Sequence, residues 1–134
     1  MAEADYSGRS MAQKLGVKEG SLVALVDAPP GWTIAGAPLG ARVKRGTPAG
    51  FEVAVWFVRS LHDLRAGLKK MAGATRPTAS LWLAWPRKAG GHSSDVTDNA
   101  IRDLVLPLGL VDVKVAALDQ DWSGLKLVWR LSRR

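Results

Sequence analysis

The sequence predicts an α/β fold of three layers, with a mostly parallel central sheet that ends in an antiparallel β-hairpin. Three observations carry this. Strand-like apolar runs alternate along the chain with one-sided helical stretches. The runs at 21–27, 51–58 and 79–85 are apolar on both faces, as strands covered above and below must be. The last two strand-like segments instead alternate apolar with charged residues, which leaves one of their faces wet.

Taken in order, residues 1–9 read as flexible, and "SMAQKLG" reads as a short helix with Ser10 at its N-cap and Gly16 just past its end. "SLVALVD" is the first buried strand. "APPGWTIAGAPLG" is too broken by proline and glycine for a full helix. "ARVKRG" is a short polar strand near a sheet edge, and "FEVAVWFV" belongs in the middle of the sheet. In "SLHDLRAGLKKMAG", Ser60 is placed as an N-cap with Asp63 three residues on, and Leu61, Leu64, Leu68 and Met71 share one face. "ASLWLAW" is a third buried strand. A helix follows from a Thr97 cap, with Ile101, Leu104, Val105 and Leu108 on one stripe, and Pro107 and Gly109 end it. "LVDVKVAAL" and "GLKLVWRLS", joined through "DQDWSG", form the hairpin. Alternation turns Val111, Val113, Val115, Leu125, Leu127 and Trp129 away from the face that carries Lys114, Lys126 and Arg130.

Composition narrows the function. A chain of 134 residues fits one domain and can bury about two thirds of its unfolded surface. With no cysteine, thiol catalysis, disulfide sensing and cysteine-ligated zinc are excluded, and two histidines without a spaced third ligand make no metal site. No stretch approaches the roughly 20 apolar residues of a membrane span, and the N-terminus lacks a signal-peptide core, so the cytoplasm is the expected compartment. Nineteen Lys and Arg against twelve Asp and Glu give a net charge of +7. The cations fall in small groups with acids between them, and no zinc finger, helix-turn-helix or RNA-binding sheet signature accompanies them. Nucleic acid is therefore allowed as a partner but not favoured.

A strand ending at Asp27, the segment "FEVAVWFVRSLHDLRAGLKKMAGATRPTASLWLAWPRK", then a helix and a terminal hairpin together resemble the later two thirds of a class I, Rossmann-like methyltransferase domain. "SGRSMAQKLGVKEG", "WPRKAGG" with "DVTDN", and "GLVDVKV" before "DWSGLKLVWRL" are similar along nearly the whole chain to a bacterial family, common in actinobacteria, known as a domain of unknown function. The methyltransferase resemblance implies a last strand inserted antiparallel beside its predecessor. It also implies a glycine-rich turn after the first strand and an acid closing the second, both holding S-adenosylmethionine. This chain departs at both points. It has "DAPPGW" at the turn, where Pro29 and Pro30 lack N–H groups, and Lys44 and Arg45 close the second strand. No cofactor is therefore assigned.

In open α/β sheets ligands sit beyond the carboxyl ends of the strands. That rule gathers Asp27, Trp32, Trp85 and Trp122 as a candidate pocket edge. The loop after the third buried strand supplies Arg87, Lys88, His92, Ser93 and Ser94 as a candidate anion or ligand site, where cations and a coming helix N-terminus would act on one charge. A solvated loop, with Gly90 and Gly91 lending flexibility, is the competing reading. Adjacent residues in one loop cannot align a triad from Ser93 or Ser94, His92 and Asp95, so no catalytic residue is assigned. Trp56, Trp82 and Trp129 are expected in the core. Two functions stay open: a non-catalytic binding or regulatory module acting on an unknown protein, and a small enzyme or metabolite-binding protein using an anionic ligand at residues 86–95. A filled carboxyl edge favours the first and a cleft beside Arg87, Lys88 and Trp122 the second. The hairpin's free edge leaves room for a homodimer.

Overall fold

The computed structural model describes residues 9–131, so the expected flexibility of 1–9 lies, Arg9 apart, outside the described residues. Six strands, β1 (Leu22–Val26), β2 (Arg42–Arg45), β3 (Val53–Phe57), β4 (Ser80–Pro86), β5 (Leu110–Ala117) and β6 (Trp122–Trp129), form one sheet in the order β2-β1-β3-β4-β6-β5. The first four run parallel, and β6 enters antiparallel to β4 with β5 outside it. This is the three-layer, Rossmann-like α/β class with a C-terminal antiparallel hairpin.

Apolar residues on both faces of β1, β3 and β4 demand two covers, and the covers are unequal. On one face α2 (Leu61–Ala74) and α3 (Asp98–Val105) lay Leu64, Leu68, Met71, Ile101 and Val105 over Ala54, Trp56, Leu81, Leu83, Leu125 and Leu127. On the other, among the described residues, the five-residue α1 (Met11–Leu15), Val17, the helix-free loop 28–41, Leu118 and Trp122 cover Val23, Val55, Phe57, Trp82 and Ala84. Each helix starts on the cap its sequence announces. The hydroxyls of Ser10, Ser60 and Thr97 accept the N–H of Gln13, Asp63 and Ala100, respectively. Trp56 and Trp82 are buried, and the indole N–H of Trp129 donates to Thr75 O at 2.7 Å.

The hairpin corrects the alternation read from sequence. A bulge between Asp112 and Lys114 takes Val113 out of the ladder, 54% exposed, whereas Val115 pairs with Leu125 and shares its face but, on the outermost strand, is still 58% exposed. Lys114 and Lys126 are half-buried, not fully wet, and the Lys114 ammonium reaches Lys14 O on α1. Arg130 is exposed. Asp112 turns toward α3, where Arg102 donates to it at 2.8 Å. That hydrogen bond holds the Asp112 carboxyl below the usual carboxylate range and raises Arg102 further. Among the described residues, no helix is long and apolar enough to cross a membrane.

Candidate functional site

β1, β3 and β4 deliver their carboxyl ends to one edge of the sheet, and the antiparallel β6 begins there, so the 118–121 turn joins them. Just past β1, Asp27 stands in the left-handed region, φ +57°. Beyond it, Pro29 to Trp32 close a turn through Trp32 N–H to Pro29 O at 3.1 Å, with Gly31 at φ +75° in its third position, where glycine takes a positive φ freely. Arg45, at the end of β2, reaches over this turn. Its guanidinium donates to the carbonyls of Ala28, Pro29 and Trp32, each at 3.2 Å.

Aromatic rings fill the space next to that turn. Trp32 meets Phe57 edge-on at 4.8 Å between centroids, and Trp122 meets Phe57 in the same way at 4.9 Å. The Trp32 indole N–H donates to Asp119 at 2.9 Å. Arg59 lies 5.3 Å over the Trp122 ring and donates to Asp27 O at 3.0 Å. Of the four residues expected at the pocket edge, Asp27, Trp32 and Trp122 thus belong to one packed assembly. Trp85 stands apart, in the core beneath the 87–98 loop.

Two clefts flank the assembly. One, of about 470 Å³, is lined by Asp27, Phe57, Arg59, His62 and Asp63 at the start of α2. There Asp63 accepts the Arg59 N–H at 3.0 Å, completing the cap. The other, of about 420 Å³, gathers Trp85, Lys88, His92, Ser93, Ser94, Thr97, Asp98 and Ser123. Four of the five candidate loop residues therefore meet in one cleft. Arg87 is absent from its lining. Its main-chain N–H donates to Asp121 O at 2.7 Å and its guanidinium to Gln120 O at 3.4 Å, which ties the loop to the 118–121 turn.

Of the other loop residues, His92 joins this clamp. His92 Nε2 lies 2.9 Å from Asp121 Oδ1, across a half-open contact with the two side chains 43% and 60% exposed. Ser94 donates to Arg59 O at 3.0 Å and accepts the Val96 N–H at 3.1 Å. Asp95 accepts the Leu61 N–H of α2 at 2.9 Å, so it does not orient His92. Gly90 has a role other than flexibility, since a Cβ there would overlap the Gln120 carbonyl oxygen. At the start of α3, Thr97 and Asp98 already accept the Ala100 and Asn99 N–H groups. The sequence places Arg59 and the "DQDWSG" turn at this edge, but not Arg45, and not the contacts by which Arg45, Arg59, Asp119 and Asp121 close it. The acids of "DQDWSG" were the available signal, but their partners lie far away in sequence.

Among solved structures, the chain is similar to that of LepI in complex with SAM, at a TM-score of 0.49 and 16% identity over 90% of this chain and 39% of that one. It is similar to a LepI variant in complex with SAH and a substrate analogue, at a TM-score of 0.48, 16% identity and the same coverage. A third, described as a pericyclic reaction enzyme, gives 0.49 and 16%, again over 90% of this chain and 39% of that one. The chain thus spans about two fifths of the length of each of these structures. No family model matches the sequence, and no curated protein does.

Proposed function

We propose that the chain is a cytoplasmic, non-catalytic binding or regulatory module on a methyltransferase-like fold, one that does not use S-adenosylmethionine. The observation that supports this reading is Arg45. Where the resemblance asks for an acid to take ribose hydroxyls, this guanidinium spends its donors on the carbonyls of Ala28, Pro29 and Trp32. The turn it holds carries two prolines in place of N–H-bearing glycines. Trp32 and Trp122 then pack on Phe57 over the end of β3. A cofactor would have to displace the chain's own side chains, and the residues present do not fit it.

A second reading, a small anionic ligand in the 420 Å³ cleft, is favoured by the meeting of Lys88, His92, Ser93 and Ser94 there. Its donors are fewer than the sequence suggests, because Arg87 and two N–H groups of α3 are engaged elsewhere. Thermal melts with S-adenosylmethionine and with inorganic phosphate, each at 1 mM or roughly 100 times a 10 µM dissociation constant, separate the readings. Bound ligand at that ratio adds about 2.7 kcal/mol. The module reading expects no shift with S-adenosylmethionine, and a rise of several degrees would overturn it. The anion reading expects a shift with phosphate that Lys88→Ala abolishes, and no phosphate shift would remove it.

A further inference from the structure

We infer that the free edge of β2 is a docking site for an acidic, extended polypeptide segment that adds to the sheet as a further strand. Among the described residues, β2 is the terminal strand, paired on one side only. Arg42 N–H donates to Ser21 O and Gly46 N–H to Leu25 O, so residues 42, 44 and 46 direct their main-chain groups at β1. Val43 and Arg45 necessarily direct theirs outward. All four residues of β2 are exposed, and Leu39, just before the strand, is 92% exposed.

The two margins of this sheet differ in a way that bears on association. The β5 margin is broken by the bulge at Asp112 and Lys114, a common means of blunting an edge. The β2 margin keeps an unbroken register with β1 from Arg42 to Arg45. It carries Arg42 and Lys44 on one face, with Val43 and Arg45 on the other. These cations disfavour a second copy, since self-pairing would set like charges opposite one another. They suit a strand with acids at alternate positions. Unpaired N–H and C=O groups favour a polypeptide over a nucleic acid, because phosphates answer the cations but not the ladder. This surface lies apart from the Lys88 cleft, so the inference stands independently of what binds there.

The test is an NMR titration of the ¹⁵N-labelled chain with a capped octapeptide of alternating Glu and Val, alongside the same peptide with Lys for Glu and a single-stranded DNA octamer. The inference expects saturable shifts in 42–46 and slowed exchange of the Val43 and Arg45 amides with the acidic peptide alone. Arg42→Gln with Lys44→Gln should weaken it about tenfold. Val43→Pro removes an outward N–H that β1 does not use and should abolish binding; should that variant unfold, exchange of the Val43 and Arg45 amides in the parent chain decides. No shifts, shifts elsewhere, unprotected amides, equal binding of DNA, or peptide-independent dimerisation through β2 would each overturn the inference.

Discussion

Replacing Gly90 by Ala should destabilise the protein although the glycine is exposed and its loop looks free to adapt. The added Cβ meets the main-chain carbonyl of Gln120, which has no rotamer to yield, so the 118–121 turn must move away from the loop. That movement strains Arg87 N–H to Asp121 O at 2.7 Å, Arg87 to Gln120 O at 3.4 Å, and the His92–Asp121 pair at 2.9 Å. The first is a main-chain bond worth about 1 kcal/mol, and the other two, both exposed, add about 1 kcal/mol together. Restricting the unfolded chain returns about 0.5 kcal/mol. The net loss is about 1.5 kcal/mol, which for a chain of this length lowers the melting temperature by about 6 °C. Calorimetric melts of the parent and variant measure it, with NMR spectra reporting on His92 and Asp121. A melting temperature within 2 °C of the parent, with both residues' signals unmoved, would refute the clamp.

Two glycines of α2 should respond in opposite senses. Gly73→Ala meets nothing within 4 Å and should stabilise by about 0.5 to 1 kcal/mol, whereas Gly67→Ala brings its Cβ to 2.6 Å from the Trp56 ring and should cost about 1 to 3 kcal/mol; denaturant melts rank them. Asp112→Asn should remove about 0.5 to 1 kcal/mol at pH 7. Because the folded Asp112 carboxyl titrates below its ordinary value, its contribution is complete above about pH 5 and is lost as the pH falls through the folded value. The gap in stability between parent and variant should therefore narrow as the pH falls below the ordinary carboxylate range, and a gap that stays constant through acid would contradict the Arg102 assignment.

The strands, helices and caps were legible in the sequence because each is written locally. The two-faced apolar runs of β1, β3 and β4, the four-residue polar β2, and Ser10, Ser60 and Thr97 before their helices all appear in the structure as read. What escaped notice was set by partners distant in sequence. The bulge in β5 takes Val113 out of the ladder and sets Asp112 opposite Leu127 on the face where Arg102 of α3 meets it, a contact that alternation cannot see. Gly90 read as flexible because a glycine in a loop looks the same whether it bends or admits a neighbour. At the candidate site, "DAPPGW" was legible as a turn with two prolines in it. Nothing local announced that Arg45, thirteen residues beyond Trp32, would clasp it, or that Asp119 and Asp121 would receive Trp32 and His92.

The central claim is that the carboxyl edge at Asp27 to Trp32 is closed by the chain's own Arg45, Trp32 and Trp122. Isothermal titration of S-adenosylmethionine into the protein tests it most directly. The account predicts no saturable heat up to about 1 mM ligand, corresponding to a binding free energy weaker than about −4 kcal/mol. A one-to-one isotherm with a dissociation constant in the low micromolar range would contradict it.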